Sequence, residues 1–242
     1  MRHLLVVCAV ALGSAVASSA AVAGTECDGQ LVCIPVAGPW VLVPAQTGSH
    51  RVPTYYRLTC PEGAVVGGLD ADLTHRTIDV TFIGSLGGPV SPGVTTSRAA
   101  VFVATETGAF ALPTAFRPLL GCIPATGGGG RARTGYTPVR TLYAARPVPA
   151  RPTVRRVKTA RLRAGSATSI FHACGRGERL VSFSAAIAFH TKRAPSAQLL
   201  SLVEVRSAVR GGRVVANARA GDLPGGLRVE VQVHAVCAEP LQ

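Results

Sequence analysis

The sequence predicts an all-β protein: two tandem, similar antiparallel β-sandwich units, each with an internal disulfide. Three observations lead there. Apolar and polar residues alternate along short segments separated by Gly/Pro turns, with almost no helical periodicity. Cys60 and Cys122 stand 62 positions apart, and Cys174 and Cys237 stand 63 apart. Both spans open on the same spelling, Cys60-Pro61-Glu62-Gly63 and Cys174-Gly175-Arg176-Gly177, and both end on a strand that delivers the second cysteine.

Residues 1–23 read as a secretory signal peptide. Arg2 and His3 give a short positive start, Leu4–Leu12 is an apolar run too short for a settled membrane span, and Ala21-Val22-Ala23 fits a signal-peptidase site ahead of Gly24. Leu5-Val6-Val7-Cys8 loosely mimics a lipobox, but Cys8 sits inside the apolar run with too little hydrophobic sequence before it. No later stretch is long and apolar enough to anchor the chain, so the expected location is secreted, extracellular. Cleavage there leaves Cys27, Cys33, Cys60, Cys122, Cys174 and Cys237. An even number of cysteines in an exported chain reads as disulfides, and six allow about fifteen pairings. The internal repeat suggests Cys60–Cys122 and Cys174–Cys237, with Cys27–Cys33 closing a small loop.

Residues 24–125 are expected to form an N-terminal arm and the first β unit. In the arm, Trp40-Val41-Leu42-Val43 is a short strand stopped by Pro44, with Trp40 a packing residue. The unit begins near Val52. Tyr55–Thr59 leads as a strand into Cys60, and Ala64–Gly68 follows the Cys-x-x-Gly turn. In Thr77–Ile83, residues Ile78, Val80 and Phe82 share one face. Ala99–Ala104 and Ala115–Cys122 are the last strands, and Pro118 implies an edge or a bulge in the final one.

Residues 126–152 are a Gly/Arg/Pro-rich linker, opening on Thr126 and four glycines. From Arg131 to Arg163 the chain holds nine arginines and one lysine with no acid. This segment dominates a net charge of +13. Its last part, Val154–Arg163, is expected to be the first strand of the second unit, residues 153–242. Leu180–Phe189 puts Val181, Phe183, Ala185, Ile187 and Phe189 on one face, and Ser182, Ser184, Ala186, Ala188 and His190 on the other. Leu199–Val209 and Arg213–Ala218 read as further strands. Leu227–Cys237 alternates most cleanly: Leu227, Val229, Val231, Val233, Ala235 and Cys237 inward, Arg228, Glu230, Gln232 and His234 toward solvent.

With Cys60, Gly63, Val66, Cys174, Gly177 and Leu180 in these openings, and Val231–Cys237 as a final Val-x-Val-x-Ala-x-Cys strand, the chain resembles exported actinobacterial proteins of unassigned role. The resemblance covers both units and implies neither a reaction nor a catalytic residue.

Three chemistries come into question. Gly84-Ser85-Leu86-Gly87-Gly88-Pro89 looks like the nucleophile box of trypsin-like proteases, but Leu86 stands where the serine must be and cannot attack a carbonyl. His172, His190 and His234 fall in one unit, yet strand parity separates them and no metal-binding spacing occurs. Asp70, Asp72 and Asp79, with Glu62 nearby, form the single acidic cluster that could serve as a carboxylate pair. The sequence therefore predicts no catalytic residue, metal or cofactor.

The strong electrostatic signal is the set Arg131, Arg133, Arg140, Arg146, Arg151, Arg155, Arg156, Lys158, Arg161 and Arg163 as an anion-binding strip, the competing reading being a solubilising linker. The expected function is an exported non-catalytic binding or structural protein of the cell envelope, holding an anionic polymer or an acidic partner protein. Nucleic acid fits poorly, because Tyr136 and Tyr143 are the strip's only aromatics. The alternative is an exported hydrolase with a carboxylate-based site in the first unit.

Overall fold

A computed structural model describes residues 24–46, 51–83, 98–108, 112–125 and 153–238. The signal segment, the Gly84–Val90 box and Arg131, Arg133, Arg140, Arg146 and Arg151 lie outside them. The fold is all-β, with several antiparallel sheets and three disulfides. A 3-10 turn at Thr25–Cys27 is followed by β1 (Ile34–Ala37), β2 (Trp40–Val43), β3 (Thr54–Thr59), β4 (Ala64–Leu73), β5 (Ile78–Ile83), β6 (Ala99–Glu106) and β7 (Thr114–Pro124). The C-terminal half adds β8 (Thr153–Leu162), β9 (Ala167–His172), β10 (Arg179–Phe189), α1 (Ala197–Ser201), β11 (Val203–Arg210), β12 (Arg213–Ala220) and β13 (Val229–Ala238).

The described strands form three sheets. The largest has seven strands in the order β1-β7-β2-β10-β13-β8, with β4 also on β7. The others are β3-β6-β5 and β11-β12-β9. β2 is the joint. Trp40 and Leu42 enter one core, with Ile187, Phe189, Val231, Val233 and the β12 valine and alanines. Val41 and Val43 enter the other, with Tyr56, Phe102, Phe116 and Leu120. A strand that alternates by period 2 thus gives one face to each core. Among the described residues, the two halves of the large sheet meet in two register pairs, Val41↔Ala188 and Trp40↔Phe189.

The bridges are Cys27–Cys33, Cys60–Cys122 and Cys174–Cys237, the pairs that the repeat suggests. In each Cys-x-x-Gly turn the glycine has positive φ, 78° at Gly63 and 81° at Gly177, a conformation that costs glycine least. The next strand carries an irregularity at the same offset: Val66 opposes Cys122 and the register then slips to Gly68, while Leu180 opposes Cys237 and slips to Ser182. Leu58↔Ala100 and His172↔Val214 likewise stand two residues before their cysteines in the small sheets.

Three local expectations change. Leu199–Val209 is not one strand: Ser196 caps α1 by accepting the Leu199 N–H, and β11 begins only at Val203. β1 and β9 are strands that the sequence pattern does not mark, because each is short and weakly alternating. Pro118 lies in a strand paired on both sides, not at an edge. Its partner strand instead breaks at Gly38–Pro39: the Gly38 N–H donates to Pro118 O at 2.8 Å, and Arg117 Nε donates to Gly38 O at 3.0 Å, supplying the donor that proline lacks.

Candidate functional site

The polar face of β13 does not face solvent. Glu230, Gln232 and His234 are 6%, 5% and 0% exposed. The alternation is as the sequence predicts, but β3 from the other half of the chain lies over that face. Tyr56 donates its hydroxyl to Glu230 Oε1 at 2.7 Å. The second carboxylate oxygen lies 2.7 Å from His190 Nε2 and accepts from Arg228 Nη2 at 3.5 Å. Burial, then the Glu230 charge, pushes the Tyr56 hydroxyl well above its usual range. Gln232 acts as a false strand partner: its Oε1 accepts the Arg57 main-chain N–H at 2.6 Å and its Nε2 donates to Arg57 O at 3.1 Å.

His234 closes this seam. Arg155 Nη1 is 3.2 Å from His234 Nδ1, and a guanidinium can only donate. Nδ1 is therefore the acceptor, and the proton sits on Nε2, which donates to Gln232 Oε1 at 2.7 Å. The ring is neutral. Burial, then the charges of Arg155 and Arg57, lowers its pKa to about 3. Arg155 also stacks over the Tyr55 ring, 5.3 Å from its centroid. Burial lowers the pKa of this guanidinium too, and Arg57 adds like-charge repulsion. Arg155 and Arg57 share the seam, and neither forms an ion pair with a carboxylate among the described residues.

The other described members of the predicted strip scatter. Arg156 pairs with Glu178, its Nε donating at 2.8 Å. That bond, with the Gly175 N–H, holds Glu178 down to about 2. Lys158 Nζ donates to Phe171 O at 3.1 Å. Arg161 and Arg163 are exposed. Of the predicted set, only Arg155 among the described residues enters the seam. Sequence reasoning missed Tyr55, Tyr56, Arg57 and the buried Glu230–His234 row. Their contacts join positions 174 and 175 apart in sequence, which no local pattern reveals.

Of the predicted acidic cluster, Asp70 is put to structural use. Asp70 Oδ2 accepts the Thr25 N–H and hydroxyl at 2.8 and 3.0 Å, and Oδ1 accepts the Ala71 N–H. Burial opposes ionisation, but these bonds prevail and Asp70 titrates below the usual carboxylate range. Asp70 and Asp79 border a cleft of about 380 Å³ whose other walls, Leu69, Leu73, Val80 and Phe82 among them, are apolar. Glu178, Glu204 and Glu230 each have a different partner. Among the described residues, the one group of three metal-capable side chains is Cys174, Glu178 and Cys237, and its two sulfurs are already bonded to each other. His172, His190 and His234 form no such group; His172 Nε2 is buried without a partner. No helix among the described residues is long and apolar enough to cross a membrane.

Comparison with family models, with curated proteins and with solved structures finds no match to this chain.

Proposed function

We propose that this is an exported, non-catalytic binding or structural protein of the cell envelope, built from two similar disulfide-bridged β-sandwich units, that holds an anionic polymer on a basic surface beginning at the seam between them. One observation carries the reading. Arg155 is drawn partly out of water beside a second guanidinium, Arg57, over an aromatic ring and against a neutral histidine, with no carboxylate to offset it among the described residues. Half-burying a like-charged pair is unfavourable unless something binds it, and guanidinium groups match phosphate and carboxylate oxygens in pairs.

Two further features support it. The acid of the seam, Glu230, is already engaged by Tyr56, His190 and Arg228. The chain enters β8 from the Arg-rich 126–152 segment, so sequence adds positive charge directly before Arg155. The repeat itself is supported by the matched bridges, the matched irregularities after each Cys-x-x-Gly and the matched strand orders β3-β6-β5 and β9-β12-β11. Against a role for Asp70 as general acid stand its lowered pKa and its hydrogen bonds to Thr25 and Ala71.

The test is retention of the exported protein on immobilised poly(glycerol phosphate) and on poly-L-glutamate, eluted with a salt gradient. Salt-sensitive retention that falls in Arg57→Gln/Arg155→Gln is expected. Retention on glutamate alone would assign an acidic protein partner. Indifference to both salt and the double substitution would overturn the reading.

A further inference from the structure

The N-terminal arm contains a buried acid that the proposed function does not use. Glu26 is 7% exposed, and its Oε2 has no hydrogen-bond partner. An uncompensated buried carboxylate is among the costlier things a fold can contain. Its surroundings are fixed from three sides. The Glu26 carbonyl sits directly on the paired glycines Gly68 and Gly121, where a Cβ on either would collide with it. Asp70 grips Thr25 through both main chain and hydroxyl. Gly24 folds back so closely that a Cβ there would collide with Glu26 Oε2 and lie 2.8 Å from Leu119 Cδ1. The orphan oxygen therefore touches the main chain of the residue that the sequence predicts as the first of the mature protein.

We propose that removal of the signal peptide creates the missing partner: the α-ammonium of Gly24 pairs with Glu26 and locks the arm onto β4 and β7. The inference rests on cleavage between Ala23 and Gly24. Hydrolysis there adds water across the peptide bond, leaving a carboxylate on Ala23 and an amine on Gly24 that takes up a proton at neutral pH. A peptide nitrogen with one neutral N–H becomes a cation with three donors beside a buried anion. Charge-assisted bonds of that kind are about twice as strong as neutral ones. A side chain at position 24 would displace the Glu26 carboxylate from this place. Export and completion of the fold are then one event: the uncleaved chain retains an unpaired carboxylate under its arm, and the mature chain does not.

The test uses the full mature chain in three forms: beginning at Gly24, beginning at Gly24 with an acetylated amine, and beginning with two extra residues ahead of Gly24. Each is made with Glu26 and with Glu26→Gln. Amide exchange over residues 26–33 is read at neutral pH. Blocking or extending the terminus is expected to speed exchange about ten-fold or more when Glu26 is present, and to change it little in Glu26→Gln. Equal exchange in all three Glu26 forms, or the same loss in the Glu26→Gln series, overturns the lock. Acetylation alters no side chain, so a poorly folding Glu26→Gln leaves the first comparison intact. Intact mass of the exported protein tests the cleavage point separately: a start other than Gly24 overturns the maturation step, whatever the exchange data show about the carboxylate.

Discussion

The sheets β3-β6-β5 and β9-β12-β11 run in matching order and each half carries one long-range bridge, yet the strand after the Cys-x-x-Gly turn finishes differently in the two halves. In the N-terminal half the irregularity is followed by Gly68 opposite Gly121. In the C-terminal half the corresponding pair is Ser182 opposite Val236. Bare glycine backbone admits the arm at Glu26; side chains at the matching place leave no such seat. The connections differ as well. β4 and β5 are joined by Thr74–Thr77, whereas β10 and β11 are joined through α1. What the halves share is backbone register around a disulfide, and what distinguishes them is what each surface is free to receive. The covering pattern is also asymmetric: β3 of the first half lies over polar β13, whereas the second half meets the arm edge to edge, through β10 on β2.

The largest expected effect comes from the joint. Trp40→Ala removes a buried indole from the C-terminal core, and should cost about 3–5 kcal/mol. Val43→Ala, on the other face of the same strand, should cost less and act on the N-terminal core. Amide exchange resolved by half distinguishes them; identical patterns would show that β2 does not divide its faces between two cores.

Acid should act next, and first at the seam. His234 binds a proton near pH 6.5 when unfolded but only near pH 3 when folded, so the unfolded chain takes up more protons between these values. Stability present above pH 6.5 is lost as pH falls toward 3, by about 2–3 kcal/mol at pH 4.5. Glu178, depressed to about 2, works in the same direction but only below its ordinary range near 4.5. Urea unfolding at pH 7 and pH 4.5 measures the loss, and His234→Gln, which cannot be protonated, should flatten it.

A smaller contrast separates the glycine pairs. Gly121→Ala pushes a methyl into the Glu26 carbonyl and should free the arm at a cost of about 1–3 kcal/mol. Val236→Ala, at the matching place, should leave the arm untouched. Proteolysis between Gly24 and Ile34 reports the difference. The smallest change is Ser196→Ala, which removes the α1 cap for about 1 kcal/mol and has no counterpart in the shorter β4–β5 connection. Thermal unfolding measures it, and a shift as large as that of Trp40→Ala would mean that α1 holds more than its own turn.

Much of the frame could be read before any coordinates. The Cys60–Cys122 and Cys174–Cys237 spacing, the glycine of each opening turn and the period-2 run of Leu227–Cys237 are local or repeated signals. The site was less legible. Arg155 stood out as one cation among many, while Arg57, between two tyrosines and a leucine, carried no mark at all. Pro118 announced an interrupted ladder but not where the interruption fell, because that depended on Gly38 and Arg117 meeting it.

The sequence by itself determined which residues alternate and where most turns fall, because these follow from backbone geometry within a few residues, and its recurring spacing suggested how the cysteines pair. Only the tertiary structure decided what covers each face. Alternation marks one side of a strand as polar, but a polar side is buried without penalty when partners from 174 or 175 positions away satisfy its hydrogen bonds, as Tyr56 and Arg57 do for Glu230 and Gln232. The same holds for β2, whose four apolar residues could not say that they belong to two cores until both had formed around them.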